Sequence, residues 1–347
     1  MTKRKIAALV LALTMVLGVT AGCSGSSKKS INLFIWTEYM PQSVLDGFEK
    51  ETGVKVNITT FSSIADMYAK VKSSPAGTYD VVDSAEIYVD KMSKEGLLEK
   101  INYKNVPNMK NIDPSYLAPW YDPDNTYSIP YLGGVVAMCY NKSLVTKAPT
   151  SYADLFDPQY KDSLVMVDDY RVIIGSINEM LGFDYNETDP DKLAQTEAKL
   201  MELKPNIRLL DSDSPKTAMI NGEAKVGLIY SAEIAIAMEE NPDIQVVFPA
   251  EGQYLFLDSL CVAKGSKNQA LAEKFINYVL DPQVSKTISE AFPYSNPNAA
   301  AMALMDDAYK NNPVKNIASD VIARGFITKD LGSATETYND IWTKFTE

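Results

Sequence analysis

The sequence contains no histidine. That absence removes Ser-His-Asp and Cys-His catalysis and the zinc sites that use histidine, all of which rely on an imidazole. Only three cysteines are present, so no disulfide framework or cysteine-rich metal cluster is available. Cys139 and Cys261 lie in apolar, strand-like runs. Buried free thiols fit there, and so does a disulfide between them in an oxidising compartment. Basic residues are the minority, 33 against 45 acidic ones. An acidic chain is a poor partner for nucleic acid, where phosphate neutralisation dominates binding, and a suitable one for cations. Internal repeats are missing, and the only low-complexity segment is a short tether near the N-terminus.

What is present begins with a leader. Lys3, Arg4 and Lys5 precede an uncharged apolar run from Ile6 to Ala21. The run falls short of the roughly 20 apolar residues a membrane span needs and has the shape of a signal peptide. It stops at Thr20-Ala21-Gly22-Cys23, followed by Ser24 to Ser30 with its lysine pair. That segment resembles a bacterial lipobox, in which cleavage precedes the cysteine and the cysteine is acylated. Thr20 stands where leucine is more usual. The expectation is a Cys23-anchored protein outside the cytoplasm on a flexible tether. Loss of the leader's three positive charges takes the net charge from −12 to −15. About 320 residues then remain, enough for two lobes, since single cores stop growing near 250–300 residues.

The body alternates strands and helices. Ile31–Trp36, Val54–Thr60 and Tyr79–Val82 read as strands. Between and after them come helices from Pro41 to Gly53, over Ser63–Lys72 and over Ile87–Glu95, the last closed at Gly96. After a Pro/Asp/Asn-rich stretch the pattern resumes, with strands at Val135–Tyr140, Leu164–Val167, Lys225–Tyr230, Ile244–Phe248 and Leu260–Ala263. Helices are expected near Arg171–Leu181 and at Asp191–Leu203, Ala232–Glu240, Gln269–Leu280, Pro282–Glu290 and Ser333–Phe345. This order predicts a mostly parallel α/β sheet covered on both faces. Lobes of 31–134 plus 259–305 and of 135–258 plus 306–347 are expected, joined by crossing segments.

In such sheets ligands sit at the carboxyl ends of strands. Those ends carry Trp36-Thr37-Glu38-Tyr39, Ser84-Ala85-Glu86, Asp168-Asp169-Tyr170 and Tyr230-Ser231, and Phe256-Leu257-Asp258 precedes another strand. Each cluster mixes aromatic and acidic residues. A carboxylate pairs with an ammonium by charge-assisted hydrogen bonds. An aromatic face attracts the same cation by about 0.5–2 kcal/mol. Trp36, Tyr39, Tyr230, Phe256 and Tyr294 are candidate walls, and Glu38, Asp169 and Asp258 candidate amine partners. Core packing for the rings and helix capping for Glu38 or Asp169 are the competing roles.

These residues resemble the spermidine/putrescine-binding proteins of bacterial ABC importers over nearly all of residues 31–347. The stretches that carry the resemblance are Trp36 to Tyr39, Phe48 to Val56, Met67 to Lys70, Tyr88 to Met92, Tyr127 to Tyr131, Asp258 to Leu260, and Pro297-Asn298. Trp-Thr-Glu-Tyr and Tyr-Ser-Ile-Pro-Tyr are the most specific among them. The resemblance implies the two-lobed fold of type II periplasmic binding proteins, closing on a polyamine (spermidine or putrescine) or another cationic amine, with permease and ATPase partners; no cofactor or metal is expected, and the protein is expected to be a monomer. It also implies ligand contacts from Trp36, Thr37, Glu38, Tyr39, Asp169, Asp258 and Tyr294. Tyr230 and Phe256 stand where spermidine binders have tryptophan. Ala85 and Ile87 replace a serine and a tyrosine, Val172 a glutamate and Thr328 a glutamine, while Glu86 and Glu233 are acidic at neutral positions. The lost glutamate beside the new acids suggests that charges have moved, with Glu86 expected to take over an amine contact.

Two rivals share some of these features. A carboxylate-pair glycosidase would also place acids in an aromatic cleft, but the anchor and the two-lobe pattern speak against it. A binder of iron or sugar on the same fold would use tyrosines or stacking rings. The 20 tyrosines include no adjacent pair, and a sugar site needs no group of carboxylates.

Overall fold

The computed structural model describes residues 29–347. Cys23 and the leader lie outside the described residues. The first half opens with β1 (Ser30–Trp36), α1 (Gln42–Thr52), β2 (Lys55–Phe61), α2 (Ile64–Ser73), β3 (Val81–Ser84) and α3 (Glu86–Lys94). Pro41, fixed at φ −66° by its ring, holds the extended entry to α1. Val44, Leu45 and Phe48 share the buried face of that helix, and Gly53 ends it at φ 70°, donating its N–H to the Glu49 carbonyl. The Ser63 hydroxyl caps α2 by accepting from the Asp66 N–H.

The second half contains β5 (Leu164–Met166), α4 (Tyr170–Met180), α5 (Pro190–Leu203), β6 (Ile207–Leu210), α6 (Lys216–Ile220), β7 (Val226–Tyr230), α7 (Ser231–Glu240) and β8 (Ile244–Val247). Asp189 caps α5 ahead of a proline at its first position. Two long strands join the halves, β4 (Ser128–Asn141) and β9 (Tyr254–Val262). Later come α8 (Gln269–Val279), α9 (Pro282–Ala291), the short α10 (Ala299–Ala303), α11 (Asp307–Asn311) and α12 (Ser319–Ala323), and α13 (Ala334–Thr346).

The strands run β2-β1-β3-β9-β4-β7-β5-β6, with β8 also on β4. The sheet is mixed rather than mostly parallel. β1 pairs in parallel with β2 and β3, and β5 with β6 and β7. Every pairing of β4 and β9 is antiparallel. β4 begins seven residues earlier than expected, because Pro130, Gly133 and Gly134 make its first part look like loop. Residues 128–136 of β4 pair with β9, and residues 138–141 pair with β8. Gly134 is required at the crossing, since a Cβ there would lie 2.6 Å from Ser231 Oγ and 3.0 Å from the Phe256 ring.

The cores follow the two halves. One draws on residues 135–254 and 314–345, the other two on 31–132 and 260–288. Helix α8 returns to the first half, where Phe275 meets Phe48 with ring centres 5.1 Å apart. Helix α13 closes the second half through Tyr338, Ile341 and Phe345. Cys139 and Cys261 are both buried free thiols, and Cys139 belongs to one core while Cys261 belongs to another.

Candidate functional site

The carboxyl ends of β1, β3, β5, β6 and β7 meet the start of β9 around one cavity of about 530 Å³. That volume suits a small molecule. Trp36, Thr37, Tyr39, Ile64 and Ala85 line it from the first half, Asp169, Ser212 and Tyr230 from the second. Tyr254, Phe256 and Asp258 come from the crossing strand, and Tyr294 from the segment after α9. A second hollow of about 580 Å³ adjoins it, sharing Trp36, Ile64, Ala85, Asp169, Ser212, Tyr230 and Tyr254. Ile87, Asp168, Arg171 and Thr328 are among its further walls.

One wall is a chain of rings. Tyr131, Tyr39, Tyr294, Phe256 and Tyr230 succeed one another edge to face, with centres 5.0–5.9 Å apart. This arrangement is the favoured one for aromatic quadrupoles, and it fixes each face. The Tyr131 hydroxyl donates to the Tyr39 carbonyl at 2.6 Å. The Tyr39 hydroxyl in turn donates to Asp258 Oδ2 at 2.7 Å. Asp258 is thereby aimed, and burial raises its pKa to about 7 against the pull of that hydrogen bond.

Asp83 lies close to this pair. It is fully buried, and neither carboxylate oxygen has a hydrogen-bond partner. Burial first, and then the charge of Asp258, hold its pKa well above the carboxylate range. The charges of Asp83 and Asp258 are both felt by the hydroxyls of Tyr39 and Tyr131. From the second half, Asp169 caps α4: its Oδ1 accepts from the N–H groups of Arg171 and Val172 at 2.8 and 3.3 Å. Burial raises its pKa, and those bonds and the nearby Arg171 oppose the rise. Arg171 itself is occupied elsewhere, donating to Asn186 Oδ1 at 2.7 Å and to the Lys329 carbonyl at 2.9 Å. The first cavity therefore has two carboxylates in its lining and no basic side chain.

Nine of the eleven expected contacts line this cavity: Trp36, Thr37, Tyr39, Ala85, Asp169, Tyr230, Phe256, Asp258 and Tyr294. Glu38 and Glu86 do not. Glu38 sits at φ 51° in the turn after β1, and its carboxylate meets the Lys216 ammonium at 2.8 Å. Glu86, the first residue of α3, turns back onto the start of β9, where its Oε1 accepts the Leu257 N–H at 2.7 Å. It faces another depression, with Gly133, Gly134 and Leu257. Burial and the charge of Asp258 push its pKa up to about 8. Glu86 thus supports the crossing strand through one oxygen and is not part of the first cavity's lining.

Reading from the sequence missed Ile64, Ser212, Tyr254, Asp83 and Lys216. Ser212 follows β6, a four-residue strand with no apolar alternation to reveal it. Asp83 precedes a strand-end cluster that was recognised and shared its signal. Among the described residues, no three His, Cys, Asp or Glu side chains are grouped to hold a metal, and no helix is long and apolar enough to cross a membrane.

Two α/β halves joined by crossing strands, with a small-molecule cavity between them, define a solute-binding protein of the periplasmic type. The chain belongs to the bacterial extracellular solute-binding protein family, which it matches over residues 43–316. It is 36% identical over 337 residues to a spermidine/putrescine-binding periplasmic protein of Escherichia coli, covering 97% of each chain. It is 25% identical over 362 residues to a putrescine/agmatine-binding protein of Pseudomonas aeruginosa, covering 98% of each. Among solved structures, a spermidine/putrescine ABC transporter protein from Listeria monocytogenes superimposes with a TM-score of 0.88 at 30% identity, over 92% of this chain and 99% of that one. A lipoprotein of Treponema pallidum gives 0.80 at 28% identity, over 91% and 99%.

Proposed function

We propose that the protein captures a polyamine between its two halves and delivers it to the permease of an ABC importer. The observation that carries this reading is the aromatic cavity lined by Asp258 of the crossing strand and Asp169 of the second half, with no basic side chain in its lining. A flexible aliphatic diamine satisfies both acids and lays its methylenes on the rings. The names of the E. coli and P. aeruginosa relatives support the ligand class.

The ligand contacts are Trp36, Thr37, Tyr39, Ala85, Asp169, Tyr230, Phe256, Asp258 and Tyr294. The lobes comprise 31–134 plus 259–305 and 135–258 plus 306–347, which agrees with the division of the cores. Contacts from both lobes form together only on closure, so ligand shifts the population toward the closed state. Closed protein docks on the permease as a monomer, and the ATPase acts through the permease. Cys23 carries the lipid that holds the protein on the outer face of the membrane, in keeping with the lipobox and with the lipoprotein from T. pallidum. Radiolabelled fatty acid incorporated by the wild type and not by Cys23→Ala tests the anchor.

Calorimetric titration of putrescine and spermidine into protein freed of copurified ligand tests the rest. Saturable one-to-one binding at micromolar concentrations or tighter supports the assignment. Absence of heat with both, in folded protein, refutes it.

A further inference from the structure

Lys216 opens the short α6 of the second half, and its ammonium reaches across to the first. It donates to Glu38 Oε2 at 2.8 Å and to Glu233 Oε1 and Oε2 at 3.1 and 3.0 Å. Ser214 Oγ lies 3.2 Å away. The site is sheltered on one side: side-chain exposure is 14% for Lys216 and 6% for Glu233, against 45% for Glu38. Burial alone would lower the lysine pKa, but Glu38 and Glu233 more than offset it, and the pKa ends raised. The group is therefore a charged ammonium held by one carboxylate from each half.

Its place matters. Glu38 stands between Thr37 and Tyr39, both of which line the cavity. The charges of Glu38 and Glu233 are both felt by the buried hydroxyl of Tyr294, another cavity wall. Without the lysine, two carboxylates would converge beside the cavity on a place already shaped for an ammonium.

We propose that Lys216 is a built-in ammonium that fills this place and restricts the cavity to ligands with two ammonium groups rather than three. This inference rests on the polyamine reading. With Lys216 in position, the free acids of the cavity are Asp258 and Asp169, which match a dication. Within the lining of that cavity a third ammonium finds no further acid, Asp168 belonging to the adjoining hollow, and burying an unpaired charge is costly. The lysine acts as the excluding element that a specific site needs beside its attractive ones. Its bond to Glu38 also spans the two halves, so the same contact helps to hold them together.

The experiment compares putrescine with spermidine by calorimetry on the wild type, Lys216→Met and Lys216→Arg. Methionine retains the aliphatic stem and removes the charge. The wild type is expected to prefer putrescine at least tenfold. Lys216→Met is expected to move the affinity ratio at least fivefold toward spermidine, and Lys216→Arg to keep the wild-type preference. Lys216→Ser replaces the methionine variant if that variant fails to melt cooperatively. A wild type that favours spermidine, or a ratio that moves less than fivefold while both amines bind, overturns this proposal alone. A wild type that binds neither amine overturns the polyamine reading and this proposal with it.

Discussion

Amine affinity is expected to fall about tenfold between pH 8 and pH 6, because a proton competes with the ligand for Asp258. In the ligand-free protein, burial brings this carboxyl to a pKa of about 7. An adjacent ammonium favours the ionised form and returns the pKa toward its usual value of roughly 4. The carboxylate is then about nine-tenths ionised at pH 8 and about one-tenth at pH 6, so observed affinity changes by about tenfold, or 1.4 kcal/mol. Aliphatic amines titrate near pH 10.4 and stay charged throughout this range. Of the neighbouring acids, Asp83 is held neutral by burial and by Asp258, Glu86 lies outside the cavity lining with Oε1 on the Leu257 N–H, and the rise of Asp169 is opposed by two backbone N–H groups. Calorimetry at pH 8, 7 and 6, in buffers of different ionisation enthalpy, measures both the affinity and about half a proton released per ligand at pH 7. Asp258→Asn is expected to bind far more weakly, with a flat profile. A flat profile in the wild type, or a slope that survives in Asp258→Asn, would refute this reasoning.

Replacing Asp83 by valine removes two unpartnered oxygens from the core around Tyr39 and Tyr131. A carboxyl with a raised folded-state pKa loses stability as pH rises through that value, so the variant should gain about 1–3 kcal/mol over the wild type at pH 9 and less at pH 5, by urea unfolding. Tyr39→Phe deletes the hydrogen bond that lowers the Asp258 pKa, so amine affinity at pH 7 should fall about three- to tenfold and the pH midpoint should move up. Glu86→Gln keeps an acceptor for the Leu257 N–H, so amine affinity should stay within about threefold, about 0.7 kcal/mol at most. A larger loss would return Glu86 to the binding site.

Much of the fold was legible because the signals were local. The αL glycines at positions 53 and 96, the capping residues Ser63 and Asp189, and the apolar face of α1 each mark an element within a few residues. The crossing was harder to see. β4 passes through Pro130 and Gly133-Gly134, which read locally as breakers, and its hydrogen bonds go to a strand more than a hundred residues later. The antiparallel pairings at the centre of the sheet arise from the same long-range return, which no window of sequence contains. The aromatic and acidic strand ends were legible because the fold gathers strand ends by rule. Which acid faces the cavity depended on partners remote in sequence: Lys216 is 178 residues from Glu38, and Leu257 is 171 residues from Glu86.

Those remote partners divide the carboxylates by function. Glu38 and Glu233 share the single ammonium of Lys216, and Glu86 gives one oxygen to the backbone of β9. Asp258, backed by Asp83, and Asp169 remain without a cation, and all three have raised pKa values because they are buried. Burying an acid costs stability unless a charge or hydrogen bonds compensate it. The fold bears that cost in the unliganded state, and an ammonium relieves it on arrival. In the proposed function, the burial cost of these acids adds to the driving force for closure, since a compensating cation would touch both halves only when they meet. A core repacked to remove that cost would be more stable and would hold its ligand less tightly, which is the trade-off expected where binding and stability draw on the same residues.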